Sequence, residues 1–163
     1  TEGTSPYFDF LRVGDADFTE YGFLGAIGLQ APAQEILNNS FTALNWTAAN
    51  FRPAVSRQFS WSSAINSSRI GVIIGATRSV YYFFGSINFT ASSAGQRAIN
   101  IADPAGSVAN VVQTRATSGG ATILPISMGR NPTAGDDYYR IMVYQNSGST
   151  MAVSGQLYAF RVR

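Results

Sequence analysis

From residue 41 onwards, apolar and polar residues alternate in short segments that turn residues separate. Leu44 and Trp46 share one side of the first segment, and Phe59 and Trp61 share one side of the second. Glycine, proline, asparagine and serine between the segments are typical of turns. The pattern predicts an all-β sandwich or barrel and, at 33–37, no more than one turn of helix. The predicted strands lie at 41–47, 58–62, 70–74, 80–89, 98–101, 111–116, 121–126, 138–145 and 157–162.

Two of these strands are apolar on both sides. Along 80–84, Tyr81 and Phe83 share one side while Tyr82 and Phe84 share the other. A strand in an antiparallel sandwich needs one apolar side, because the other meets water, and each large side chain left in water forfeits about 1.5–3 kcal/mol. The second aromatic side therefore indicates burial between copies of the chain, and the alternative is coverage by residues 1–35 of the same chain. The strand at 138–145 repeats the pattern, with Tyr139, Ile141 and Val143 opposite Tyr138, Met142 and Tyr144.

Charge divides the 163-residue chain near residue 35. Residues 1–35 hold six of the nine acidic residues and one arginine, whereas residues 36–163 hold three acidic residues and ten arginines. We interpret 1–35 as an acidic arm, with a strand near 23–29, and 36–163 as the domain. Opposite charges favour attraction between the arm and the body of neighbouring subunits. The arm residues expected to dock are Tyr7, Phe8, Phe10, Leu11, Asp15 and Asp17.

The composition removes most catalytic chemistry. The chain has no cysteine, no histidine and no lysine, since all eleven basic residues are arginine. This excludes disulfides, zinc sites of the usual ligand sets, and thiol and histidine mechanisms. The arginines are scattered singly and no apolar run approaches about 20 residues, so neither nucleic acid nor a membrane is a predicted partner.

Acidic residues do not form a recognisable site either. Asp15 begins a segment similar to a calcium loop, but Glu20 and Ala26 stand where such a loop requires glycine and glutamate. A glycosidase would need two carboxylates at working separation, and no spacing in the chain provides such a pair. The acids considered for that role are Glu20, Glu35, Asp103 and Asp136. We therefore predict no catalytic residue, no cofactor and no metal.

The order of the segments resembles a known family. The aromatic strand at 81–89 is similar to that of complement globular-head domains, which are jelly rolls of the tumour-necrosis-factor type. The hairpin at 96–113, the Gly-Asp turn at 135–136 and the closing strand at 157–162 follow in the family's order. The pairing of 42–46 with 145–150 is most similar to versions found in bacteriophage virion proteins. The resemblance covers about residues 36–163.

The resemblance implies a ten-stranded antiparallel jelly-roll sandwich that assembles as a homotrimer with aromatic strands around the threefold axis. We predict from it a non-enzymatic bacteriophage structural protein at the virion surface. The acidic arm of residues 1–35, which has no counterpart in the family, favours a trimer that decorates the capsid with this arm docked on the shell. The segment 75–79 departs from the family, because it lacks the usual glycine two residues before Tyr81. The expected trimer interface comprises Tyr81, Phe83, Tyr138, Arg140, Met142 and Tyr144.

Two other functions remain open at this point. The first alternative, which the sequence disfavours only slightly, is the head of a tail or head fibre that contacts a host glycan or protein through the loops at 91–95, 129–137 and 146–150. A secreted carbohydrate-binding module is the second alternative, and it requires Trp46 or Trp61 to be exposed as a platform for sugar.

Overall fold

The computed structural model describes residues 23–48, 59–61, 66–72, 80–106, 108–116, 120–132 and 138–162. Within these ranges no helix has the length and apolar character needed to cross a bilayer. The described chain forms eleven strands: β1 Phe23–Ile36, β2 Ser40–Ala43, β3 Thr47–Ala48, β4 Phe59–Ser60, β5 Ile70–Val72, β6 Val80–Phe89, β7 Gln96–Ala102, β8 Val108–Arg115, β9 Thr122–Arg130, β10 Tyr138–Gln145 and β11 Met151–Val162.

The strands form two antiparallel sheets, as the sandwich prediction requires. The first sheet has the order β3-β1-β11-β6-β9, and the second has the order β4-β5-β10-β7-β8. Strand β2 also pairs with β10, beyond the end of β5. Sequence neighbours such as β10 and β11 therefore lie in different sheets, and the chain crosses between the sheets repeatedly.

The core lies between the sheets and follows strict alternation. In β10 every second residue is buried, and the same holds over most of β6, β9 and β11. Phe83 of the first sheet meets Tyr139 of the second edge to face, with 5.6 Å between ring centroids. Trp46 and Leu44 are buried in the same cluster. Burial of such side chains stabilises the sandwich by about 1.5–3 kcal/mol each.

Strand bounds agree best with prediction where both sides of a strand are apolar. Strands β6 and β10 coincide with the predicted 80–89 and 138–145. Strand β11 begins at Met151, six residues before the predicted start, because Ser154, Gly155 and Gln156 obscure an alternation that Met151 and Val153 continue inward.

The predicted helical turn at 33–37 is wrong. Strand β1 continues to Ile36 and pairs with β11 up to Met151. A register shift between Ala31 and Gln34 accommodates Pro32, which has no backbone N–H to donate.

The expected domain boundary at residue 35 does not coincide with an edge of the sandwich. The whole of β1 belongs to the first sheet, where it lies between β3 and β11. The change from acidic to basic composition near residue 35 therefore falls within a paired strand and marks no structural boundary. A free arm can include residues 1–22 at most. The predicted docking residues Tyr7 to Leu11, Asp15 and Asp17 all lie outside the described residues.

Candidate functional site: two outward aromatic surfaces

The outer side of the first sheet carries a stack of aromatic rings, which we name the neutral face and define as Tyr82, Phe84, Tyr158 and Phe160. Phe84 and Phe160 lie nearly parallel, with 5.3 Å between centroids and 9° between planes. Tyr82 stacks on Phe160 at 5.4 Å and lies 6.1 Å from Phe84. Tyr158, opposite Phe84 on β11, is 44% exposed. Stacking within one chain thus presents a flat apolar surface to the outside.

Among the described residues, the outward positions beside these rings bear no charge, and they include Ser127, Gly129 and Gln156. The cation at this end of β9, Arg130, is half-buried and pairs with Tyr81, on the inward side of the sheet. The carboxylate of β1 is remote, because Glu35 pairs with Ala152, six residues before Tyr158 along β11 and so roughly 20 Å away. Arg161 points inward, where its guanidinium lies over the Tyr81 ring.

The outer side of the second sheet carries a different surface, which we name the cationic face. It is defined by Phe41, Arg69, Tyr138, Arg140, Met142 and Tyr144. Phe41 and Tyr144 pair across β2 and β10 with 5.0 Å between ring centroids. The Tyr144 hydroxyl donates a hydrogen bond of 2.7 Å to the Asn39 side chain, which fixes this ring at the edge of the face.

Two guanidinium groups of this face meet one ring. The Arg69 and Arg140 guanidinium carbons lie 4.3 and 5.6 Å from the Tyr138 centroid. Within the part of the chain that the structure describes, neither cation is in an ion pair. The Nε atom of Arg140 is buried and has no hydrogen-bond partner. A stacked cation retains most of its capacity for carboxylate, because the planar guanidinium donates in its own plane.

Small residues form the floor of the cationic face. Ala98, Asn100 and Ala102 of β7 lie opposite Tyr144, Met142 and Arg140 on the same outer side. All three are buried beneath these larger neighbours, and Asn100 is 1% exposed with its Oδ1 atom unpartnered. The centre of this surface therefore contains a buried acceptor that has no hydrogen-bond partner among the described residues.

The structure separates the six residues expected at the trimer interface. Tyr138, Arg140, Met142 and Tyr144 lie together on the cationic face. Tyr81 and Phe83 are wrongly placed in that set, since both are fully buried in the core of a single chain. The physical reason is alternation: β6 turns its odd-numbered residues inward, so the outward rings are Tyr82 and Phe84. The sequence shows both sides to be aromatic, and the packing of Phe83 against Tyr139 of the second sheet shows which side is inside.

One further cation is buried inside the sandwich. Arg97 is 0% exposed, and burial lowers the pKa of its guanidinium. Its Nη1 atom donates to the Gln96 carbonyl at 2.9 Å, whereas Nε and Nη2 have no partner in the described part of the chain. Sequence analysis missed this site because Arg97 stands at an ordinary strand position.

The tryptophans do not offer platforms for sugar. Trp46 is buried in the core. Trp61 is half-buried, packs against the core, and donates its indole N–H to the Ser67 carbonyl at 3.1 Å. Of the two platforms that the carbohydrate-binding alternative requires, Trp46 is excluded by burial and Trp61 offers only part of its ring.

The acids considered for catalysis do not come together either. Glu35 lies near the Gln145 end of the sandwich in the first sheet, and Asp103 follows β7 at the opposite end of the second sheet. Glu20 and Asp136 lie outside the described residues, as does the segment that resembles a calcium loop. Among the residues that the structure describes, no group of three or more acidic side chains is placed to hold a metal.

Two loops expected to contact a host lie side by side. Asn146 Oδ1 accepts a hydrogen bond from the Gln96 backbone N–H, and Gly95 lies directly against Asn146. The Gln145 side chain holds the second loop through Ser147 and Ser149. The loops at 91–95 and 146–150 thus form one ordered tip, while most of 129–137 lies outside the described residues.

Comparison with solved structures identifies the fold. The chain is similar to PRD1 vertex protein P5, with a TM-score of 0.60 and 15% identity over 87% of this chain and 99% of that one. It is also similar to the globular domain of zebrafish complement 1qA protein, with a TM-score of 0.55 and 7% identity over 83% and 95% of the two chains. A third likeness is to Eiger, a tumour necrosis factor from S. frugiperda, with a TM-score of 0.54 and 8% identity over 85% and 94%.

No family model and no curated protein sequence matches this chain. At these identities the likeness defines architecture alone. The predicted fold class is confirmed: the chain is an antiparallel jelly roll of the tumour-necrosis-factor type.

Proposed function

We propose that this protein is a non-enzymatic structural component of a bacteriophage virion, displayed at the particle surface as a homotrimer. The observation that carries the proposal is the neutral face, a stacked apolar surface on a fold shared with a vertex protein. A surface of this kind is characteristic of association, because its exposure to water forfeits stabilisation that a neighbouring chain supplies.

The absence of charge on this face favours contact between identical copies. In a symmetric assembly each residue near the axis meets its own equivalents, so a cation there would face other cations. Contact between copies through the neutral face would bring aromatic rings together, with small polar side chains at the edge of the contact. The cationic face would instead bring together copies of Arg140, which has no ion pair among the described residues. We therefore assign the threefold contact to Tyr82, Phe84, Tyr158 and Phe160, and not to the strand β10 residues.

The arm provides the attachment in this proposal. Residues 1–22 carry five acidic residues and one arginine together with apolar rings, a composition suited to docking on other subunits of a capsid shell. A trimer that decorates the capsid in this way would hold its jelly roll outward at the virion surface.

Truncation tests the two parts of the proposal separately. Removal of residues 1–22 leaves β1 in its sheet, whereas removal of 1–35 would delete the strand between β3 and β11. We expect the shorter truncation to remain a trimer by sedimentation analysis and to lose attachment to particles that lack this protein. The proposal is overturned if the truncated protein still attaches, or if the full chain is a monomer at high concentration.

A fibre-head adhesin is the second candidate, and the joined loops at 91–95 and 146–150 favour it. Host adsorption in the presence of the isolated full-length protein discriminates the two. An adhesin competes with the particle for the host, and a decoration protein does not.

A further inference from the structure

We propose that the cationic face of the second sheet is the binding site for residues 1–22 of this protein. In this proposal the acidic segment of the free protein binds across Arg69, Tyr138 and Arg140. The contact removes the aromatic rings of the segment and of the face from water. Binding of the segment to this face does not depend on the proposed function. Only its later release from the face and docking on a capsid shell does.

Charge is the first argument. The face holds two arginines that have no ion pair among the described residues, and one of them has a buried Nε atom without an acceptor. Residues 1–22 hold five of the nine carboxylates of the chain. Hydrogen bonds between guanidinium and carboxylate are roughly twice as strong as those between neutral groups, and they would satisfy the Nε atom.

Apolar character is the second argument. The face presents Phe41, Met142 and Tyr144, and Phe41 is 46% exposed. An acidic but purely polar occupant would leave these side chains in water. The segment combines its carboxylates with aromatic rings at Tyr7, Phe8, Phe10, Phe18 and Tyr21.

The position of the segment is the third argument. Strand β1 begins at Phe23 opposite Val162, which pairs in turn with Val80 at the start of β6. Tyr139, next to Tyr138, contacts Phe83 across the core. The segment therefore joins the sandwich at the end where the arginines of the cationic face lie. Twenty-two extended residues reach about 70 Å, and packed sheets lie about 10 Å apart, so the segment reaches this face of its own chain or of a neighbour.

Other occupants fit less well. A second copy would place Arg140 against Arg140 without a counter-charge. The neutral face is within equal reach of the segment, but the cations described beside it, Arg130 and Arg161, pair with Tyr81 on the inward side of the sheet. Its outward rings therefore offer the carboxylates no cation among the described residues.

Methionine oxidation tests the proposal on the full chain. Met142 lies on the cationic face, while Met128 and Met151 are buried and serve as internal controls. We expect hydrogen peroxide to oxidise Met142 slowly, and about fivefold to tenfold faster in the D15N/D17N/E20Q variant or in about 1 M salt, because both treatments weaken ion pairs. If neither treatment changes the oxidation rate of Met142, the proposal is overturned. A fast unchanged rate would mean that Met142 is open to solvent, and a slow unchanged rate that something other than the acidic segment covers it.

Cross-linking gives a second and independent readout, since the chain has no cysteine of its own. We compare Ala16→Cys with Met142→Cys against a control of Ala16→Cys with Ser127→Cys, which lies beside the neutral face. We expect mild oxidation to link the first pair at least about tenfold faster, provided that the two sulfur atoms meet at bonding distance. Equal rates for the two pairs overturn the proposal. Both tests use protein free of particles, so their failure is distinct from a failure of particle attachment.

Discussion

The two outward surfaces of this sandwich are alike in aromatic content and opposite in electrostatic character. On the neutral face the rings stack on one another, and the described outward positions beside them, such as Ser127, are uncharged. On the cationic face one ring lies beneath two guanidinium groups that have no ion pair among the described residues. Aromatic content alone marks both as interaction surfaces, but charge determines which of them suits an identical partner. Within one small domain, the neutral face is thus suited to self-association and the cationic face to an acidic partner.

The largest effect is expected from a charge placed on the neutral face. Phe84→Arg puts three cations near the threefold axis, and we expect complete loss of the trimer, because desolvated like charges repel and lack partners. Tyr144→Arg makes the same chemical change on the cationic face, and we expect that variant to remain trimeric. Sedimentation equilibrium measures the mass of each variant. A trimer that survives Phe84→Arg and not Tyr144→Arg would reverse the assignment of the two faces.

A smaller effect distinguishes the inner and outer sides of strand β6. Phe83→Ala removes a ring buried against Tyr139, and we expect a loss of about 3–5 kcal/mol in the free energy of unfolding. Phe84→Ala should cost about 1–2 kcal/mol, and its cost should depend on protein concentration because the ring is buried by other copies. Urea denaturation at two protein concentrations measures both. Equal and concentration-independent losses would mean that no copy covers the neutral face.

The smallest effect is expected on stability, when a buried arginine and a partly exposed arginine are each replaced by methionine. Arg97 is buried without an ion pair among the described residues, so Arg97→Met should raise the free energy of unfolding by about 1 kcal/mol and the melting temperature by about 2–4 °C. Arg140→Met on the cationic face should change stability by less than about 0.5 kcal/mol, since that cation is not fully enclosed. Thermal unfolding of both variants tests the contrast. Strong destabilisation by Arg97→Met would show that the buried cation has an anionic partner.

The sequence predicted most of the architecture for a simple physical reason. A period of two over residues 80–89 and 138–145 is dictated by the pleat, so β6 and β10 were placed correctly. The early start of β11 and the length of β1 were missed, because small and polar residues in their middles interrupt the alternation. Strand order was not available from pattern; the resemblance supplied the jelly-roll class, and the structure supplies the order.

The candidate site was predictable only in part. Alternation placed Tyr138, Arg140, Met142 and Tyr144 on one side of β10, and the structure places them on one surface. It could not tell that Tyr81 and Phe83 face the core, because a strand with two aromatic sides gives no indication of which side meets the other sheet. Arg69 could not be included at all, since its approach to Tyr138 depends on the pairing of β5 with β10.

Gly85 and Gly155 lie close together where β6 and β11 pair, and a Cβ atom at Gly85 would fall on the Gln156 carbonyl oxygen. A Cβ atom at Gly155 would collide with Ile87 and the Ser86 carbonyl. The two backbones consequently tolerate no larger residue at these positions, and the strands that they join carry Tyr82, Phe84 and Phe160 on their outer side. A designer can therefore exchange those rings for other recognition chemistry on a rigid template, provided that both glycines are left untouched.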